Sequence, residues 1–127
     1  MYRVDLNKAI TLVRGDTLLY EYKINIGTDV DVIPYVMKEG DRLYFAVCEP
    51  NQQFEDAVIK KRYEYSDCSD YTDEEGNTFS VAPIKLSSDD TVNLAEGKYY
   101  YTIKLAKKTE DDYDVITTQP KTLFFLV

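Results

Sequence analysis

From Thr17 to Ile26 apolar and polar residues alternate, with Leu18, Tyr20, Tyr22, Ile24 and Ile26 on one face and Glu21, Lys23 and Asn25 on the other. Lys98 to Lys107 repeats the arrangement, Tyr99, Tyr101, Ile103 and Leu105 facing one way and Tyr100, Thr102 and Lys104 the other. A period of two over that length predicts strands with one buried and one wet face. Ala9–Val13 and Arg42–Cys48 read as strands, and Val58–Tyr65 as a strand with a strongly charged outer face. Thr78–Leu86 contains Pro83, which has no amide to donate and so predicts an edge or a bulge there. Asp114–Thr118 and Thr122–Val127 close the chain as two strands separated by Pro120. Turn signals fall between these runs at Arg14-Gly15-Asp16, Gly27-Thr28-Asp29, Glu39-Gly40-Asp41, Glu75-Gly76-Asn77 and Lys108–Asp112. The only helical signal is a turn near Ser88–Leu94, with Ser88 or Asp89 as its cap. The expectation is an all-β, antiparallel β-sandwich of seven to eight strands, one domain over residues 1–127.

Composition agrees. Val, Ile and Thr supply 30 residues and Tyr plus Phe 17, whereas Ala and Leu supply 16; branched and aromatic side chains suit a pleated surface and lose rotamer freedom in helices. The formal charge of −8 repels phosphate backbones and anionic lipid, and along the chain no cationic run exceeds Lys60-Lys61-Arg62. The expected partners therefore include neither nucleic acid nor membrane. No stretch approaches the length of a membrane span, the longest apolar run being Leu123–Val127. Met1–Lys8 carries charge where a signal peptide needs an apolar run, which predicts synthesis in the cytoplasm without a signal peptide.

The chemistry-bearing residues each have a plainer reading. With no histidine in the chain, the usual general base and zinc ligand are missing. Asp67, Asp70, Asp73, Glu74 and Glu75 are a calcium-like set of oxygens, but they lack EF-hand spacing and read better as a solvated acidic loop over Ser66–Asn77. Arg14-Gly15-Asp16 is a receptor-recognition tripeptide and, more economically, a tight turn between strands. Cys48 and Cys68 are expected as free thiols, without the partner a nucleophile needs. The pairs Asp89-Asp90 and Asp111-Asp112 are ordinary acidic turns beside the glycosidase alternative. The expectation is no enzyme, no cofactor and no metal.

The 12 tyrosines are the compositional excess that points to a surface. Tyr20, Tyr22, Tyr99 and Tyr101 are expected in the core or at its rim. Tyr44, Tyr63, Tyr65 and Tyr100 are the candidate interaction surface, since an apolar ring with a polar tip favours protein contacts. The same rings could stack on carbohydrate, so a glycan- or small-ligand-binding module is the alternative.

The run Leu86–Tyr101 is a corner, leaving one strand through a capped turn and re-entering at Gly97. Gly97-Lys98-Tyr99-Tyr100-Tyr101 is similar to the tyrosine corner of immunoglobulin-like sandwiches, with Tyr99 as the corner tyrosine. Together with the opening Ile10–Thr17, which includes Gly15 and Asp16, the Gly40-Asp41 turn, and the order Asp90, Thr91, Leu94, Gly97, Tyr99, the chain resembles small immunoglobulin-like phage and prophage structural proteins, especially the N-terminal domain of baseplate upper proteins. The resemblance implies a non-catalytic virion subunit or adaptor in a tail, baseplate or neck. Its partners would be other virion or tail proteins, or further copies of itself, and it would be assembled in the host cytoplasm.

Overall fold

The computed structural model describes every residue, Met1–Val127, and folds as a β-sandwich. Its strands are β1 (Tyr2–Val4), β2 (Ile10–Leu12), β3 (Leu18–Lys23), β4 (Arg42–Cys48), β5 (Ile59–Glu64), β6 (Ser69–Thr72), β7 (Thr78–Leu86), β8 (Gly97–Lys108) and β9 (Tyr113–Leu126). One four-residue helix, α1 (Ser88–Thr91), joins β7 to β8. The larger sheet has the order β1-β2-β9-β8-β4-β5 and the smaller one β3-β7-β6.

Alternation builds the core. Leu43, Phe45 and Val47 of β4 and Tyr99, Tyr101, Ile103 and Leu105 of β8 meet Leu18 and Tyr22 of β3 and Ala82, Ile84 and Leu86 of β7. Burying a large side chain of this kind contributes about 1.5–3 kcal/mol. Tyr101 is wholly buried, its ring centroid 5.5 Å from that of Phe45, and its hydroxyl donates to the Lys8 carbonyl at 2.6 Å. The polar tip is thus satisfied inside the sandwich.

Several expected boundaries change, each for a physical reason. Nine strands form, because β1 and β6 are too short to show a period in sequence. The pairing is antiparallel except for β2 and β9, which run parallel with Ile10 opposite Phe124 and Leu12 opposite Leu126. The acidic segment is not simply a loop: Ser69–Thr72 pairs with β7, and its exposure follows from its place at the sheet edge. Pro120 does not divide the last strand. Two register shifts against β8, between Tyr101 and Lys104, absorb it as bulges inside a continuous β9.

Pro83 lies in β7, the middle strand of the small sheet, where proline is ordinarily excluded. Its neighbour β6 stops at Ser69 opposite Val81, so that side of Pro83 faces no strand. On the other side Pro83 stands opposite Glu21. The Ile24 amide donates to the Ser80 carbonyl, so the bonded positions of this ladder are the even ones and position 83 needs no donor.

The chain between β3 and β4 crosses from the small sheet to the large one through buried Tyr35 and Met37. Ser80 and Asp41 satisfy its backbone. The Met37 amide donates to Ser80 Oγ at 2.7 Å, and the Ser80 amide donates to the Tyr35 carbonyl at 2.9 Å. Asp41, only 2% exposed, accepts from the Tyr35 hydroxyl at 2.5 Å, the Lys38 amide at 2.9 Å and the Lys108 amide at 2.8 Å.

Asp41→Ala leaves those three donors without a partner, the Tyr35 hydroxyl buried and the two amides part-buried, and a buried orphan costs about 1–3 kcal/mol. The expected loss is about 3 kcal/mol or more, read as a fall in the urea midpoint with a wild-type slope. A loss below about 1 kcal/mol would contradict the role given to this carboxylate. A second expectation concerns alkali. Burial pushes the Tyr22 hydroxyl up to about 12 and raises Tyr20, Tyr35, Tyr99 and Tyr101 as well. A raised folded value means the native state holds the proton more tightly than the unfolded chain, whose phenols titrate near about 10. Stability from this source is complete below that pH and is lost as pH rises toward about 12. Tyrosinate absorbance from these rings is expected to appear together with loss of near-ultraviolet dichroism; ionisation that precedes unfolding would contradict the burial.

Candidate interaction face

The outer surface of the large sheet is built by the residues that alternate with the core. On β4 these are Arg42, Tyr44, Ala46 and Cys48, and on β8 Lys98, Tyr100, Thr102, Lys104, Ala106 and Lys108. The register sets Tyr44 between Arg62 of β5 and Lys104 of β8. Lys60 stands beside Ala46, and Glu64 beside Arg42. Ala46 and Ala106 are buried although they lie on this outer side, because the long stems and rings around them cover the sheet.

Cations and aromatic rings interleave across the face. Lys121 Nζ lies 4.6 Å from the centroid of the Tyr100 ring and Lys98 Nζ 5.7 Å. Lys104 Nζ is 4.5 Å from the Phe54 ring, and Tyr113 carries Lys108 at 4.9 Å and Arg42 at 5.2 Å. The only carboxylate paired here is Glu64, at 3.7 Å from Arg62. Strand pairing therefore assembles a cationic, aromatic face that no run in the sequence displays, in a chain whose net charge is −8. An arrangement of this kind can bind carboxylates and phosphates through charge and flat groups through the rings.

The four candidate tyrosines separate. Tyr44 and Tyr100 lie on the face. Tyr65 is half-exposed at its corner, where it joins Arg42 and Tyr113 around a shallow depression of about 270 Å³. Tyr63 is half-buried but turns to the inner side of β5: it packs against the core, and its hydroxyl accepts the Lys85 amide of the opposite sheet at 3.0 Å. The charged run Lys60-Lys61-Arg62 hid the alternation, because Lys61 also points inward and pairs with Asp90 at 3.0 Å. Tyr113 and Phe54 were missed. Tyr113 follows an acidic turn and Phe54 lies in a short 3-10 turn, Phe54–Asp56, so neither belongs to a run with a readable period.

The corner residues come together at one end of the sandwich. Gly15, at φ 84°, places its amide 2.9 Å from Thr91 Oγ1. Asp16 pairs with the amino terminus. The Leu94 amide donates to the Thr91 carbonyl at 2.9 Å, and Gly97 opens β8 at φ 149°. The Tyr99 hydroxyl reaches back to the Ala95 carbonyl at 2.6 Å. The helix cap is Ser87, not Ser88 or Asp89, and it forms a reciprocal capping box with Asp90.

Of the acidic segment, Asp67 and Asp73 are occupied by structure, while Asp70, Glu74 and Glu75 are exposed. Asp73 accepts the amides of Glu75 and Asn77 and shapes the β6–β7 turn, while Asp67 accepts the Glu64 amide. Both cysteines are free, and burial raises both thiols, Cys68 to about 11. A separate open groove of about 890 Å³ lies between β3 and the bulged part of β9, lined among others by Leu6, Lys8, Tyr20, Tyr22, Val32 and Gln119. No helix is long and apolar enough to cross a membrane. Compared with protein-family models, curated proteins and solved structures, the chain matches none.

Burial alone would raise the Asp90 carboxyl, but the Ser87 amide and Lys61 outweigh it and hold Asp90 below the ordinary carboxylate value. A depressed folded value gives stability that is complete above the unfolded value of about 3.9 and is lost as pH falls through the lower folded one. Asp90→Asn is therefore expected to lower stability near neutrality and to flatten its fall below about pH 4. An acid limb as steep as that of wild type would show that Asp90 is not the group responsible.

Proposed function

We propose that this chain is a non-catalytic structural subunit or adaptor that works through protein–protein contacts, with the outer face of the large sheet as its principal docking surface. The observation that carries this reading is the interleaving of Tyr44, Tyr100 and Tyr113 with Arg42, Arg62, Lys104 and Lys121 on one face. Tyrosine and arginine supply much of the binding energy where they are packed and desolvated.

The immunoglobulin-like reading belongs to the same proposal. The orders β3-β7-β6 and β9-β8-β4-β5 correspond to the B-E-D and G-F-C-C′ orders of that fold. The bond from Tyr99 to Ala95 is the kind of contact a tyrosine corner makes. With the resemblance in Ile10–Thr17 and Asp90–Tyr99, these features favour a phage or prophage tail, baseplate or neck component over other assembly proteins. A glycan- or small-ligand-binding module is the second reading, and it rests on the groove beside Tyr20 and Tyr22 rather than on Tyr63.

The test is mass spectrometry of purified particles released by cells that carry the gene. The chain is expected among the particle proteins. The double variant Arg62→Glu/Lys104→Glu, with its melting temperature unchanged, is expected to be depleted at least tenfold from them. Absence of the wild-type chain from particles would overturn the virion reading, and undiminished entry of the variant would overturn the face. Glycan binding abolished by Tyr20→Ala and untouched by the face variant would favour the second reading.

A further inference from the structure

We infer that the cationic face docks the acidic β6–β7 hairpin of a second copy of this chain, in a head-to-tail contact. The inference rests on the proposed docking role of that face and names its partner. Both surfaces are exposed and both carry charge that the fold leaves unpaired. On the face, Lys98, Lys104, Lys108 and Lys121 lie over aromatic rings and enter no ion pair. On the hairpin, Asp70, Glu74 and Glu75 are exposed, and no cation pairs with them.

The two surfaces cannot neutralise one another within one molecule. The hairpin belongs to the edge of the small sheet, and the face is the outer side of the large one. The acids at Glu110–Asp112 are a poorer match, because they adjoin Lys108 at the margin of the face itself. Four strands, β5 to β9 across β4 and β8, give the face a width of about 14 Å, enough to seat a two-stranded hairpin about 5 Å between strands. A contact of about 800 Å² on each copy would cover roughly a tenth of the 7755 Å² surface. Because face and hairpin are different patches, one copy uses both at once, and the contact repeats into a ring or a filament instead of closing as a two-fold dimer.

Charge reversal on each side separately, followed by mixing, tests the pairing. The face variant is Arg62→Glu/Lys104→Glu; the hairpin variant is Asp70→Lys/Glu74→Lys/Glu75→Lys, which spares the turn-forming Asp73. In sedimentation velocity at low salt, wild type is expected to form larger species as concentration rises, and added salt to dissolve them. Each variant alone is expected to associate at least tenfold more weakly. An equimolar mixture of the two is expected to recover association, since each then offers the other an opposite charge; recovery also shows that both are folded.

Wild type that stays monomeric at its solubility limit overturns self-docking, as does a hairpin variant that associates like wild type or a mixture that does not recover. Binding of monomeric wild type to heparin or an oligonucleotide would assign the face to a foreign polyanion instead. These outcomes stay distinct from the docking role itself. If the face variant is lost from particles while wild type remains monomeric, the face docks another protein and only the self-pairing fails.

Discussion

The connection between β3 and β4 is the constraint on which the sandwich depends. A chain that changes sheets through a hydrophobic core brings its peptide groups with it, and each unpaired group costs as much as a large buried methylene cluster returns. Here two side chains meet the requirement. Ser80, in the middle strand of the small sheet, takes the Met37 amide, and Asp41, at the entrance to β4, takes Lys38, Tyr35 and Lys108 together. Asp41 thereby ties the crossing segment to the far end of β8, a central strand of the large sheet. The distance between the sheets, and with it the packing of Phe45 and Tyr101, is set by polar groups as much as by apolar ones.

Once the inner face is fixed, the outer one follows. A period of two sends every residue that is not core to the other side, so Lys98, Tyr100, Thr102 and Lys104 are placed by the burial of Tyr99, Tyr101, Ile103 and Leu105. The net charge of −8 is an average over two unlike regions. The cations gather on the large sheet, where rings lie beneath them, while acids fill the turns and the β6 edge. Cation–π contacts of this sort are each worth about 0.5–1 kcal/mol at exposed sites, which orders the side chains without neutralising them.

Most of the strand pattern was legible because burial writes alternation directly into β3, β4 and β8. What the sequence does not contain is pairing. The parallel junction of β2 with β9 and the acceptance of Pro83 opposite Glu21 depend on which strand lies alongside. Pro120 is tolerated for a similar reason, since β8 and β9 stay paired on either side of the bulges in a shifted register. The same limit applied to the face. Tyr44 and Tyr100 were readable one at a time, but Arg42, Arg62 and Lys104 become one cluster only when β5, β4 and β8 are laid side by side. Tyr63 shows the converse: a correct strand still gives the wrong face when a charged residue, Lys61, occupies an inward position and finds a buried partner in Asp90.

The distribution of charge also sets the edges of the sandwich apart from its outer face. Sandwich edges are templates for further strands unless something blocks them. In the large sheet the edge β5 carries Lys60 and Arg62 and the edge β1 is only three residues long and carries Arg3; in the small one β6 carries Asp70 and β3 carries Glu21 and Lys23, and the unpaired stretch of β9 is broken by Pro120 and its bulges. Each edge is thus guarded by one of the devices that discourage uncontrolled strand addition. The outer face has no such protection: its rings are half-buried beneath lysines, and Lys98, Lys104, Lys108 and Lys121 enter no ion pair. Under the docking role proposed for this face, blocked edges would leave it as the favoured surface for association, and charge, which acts at a distance and weakens with salt, would give that association both orientation and reversibility.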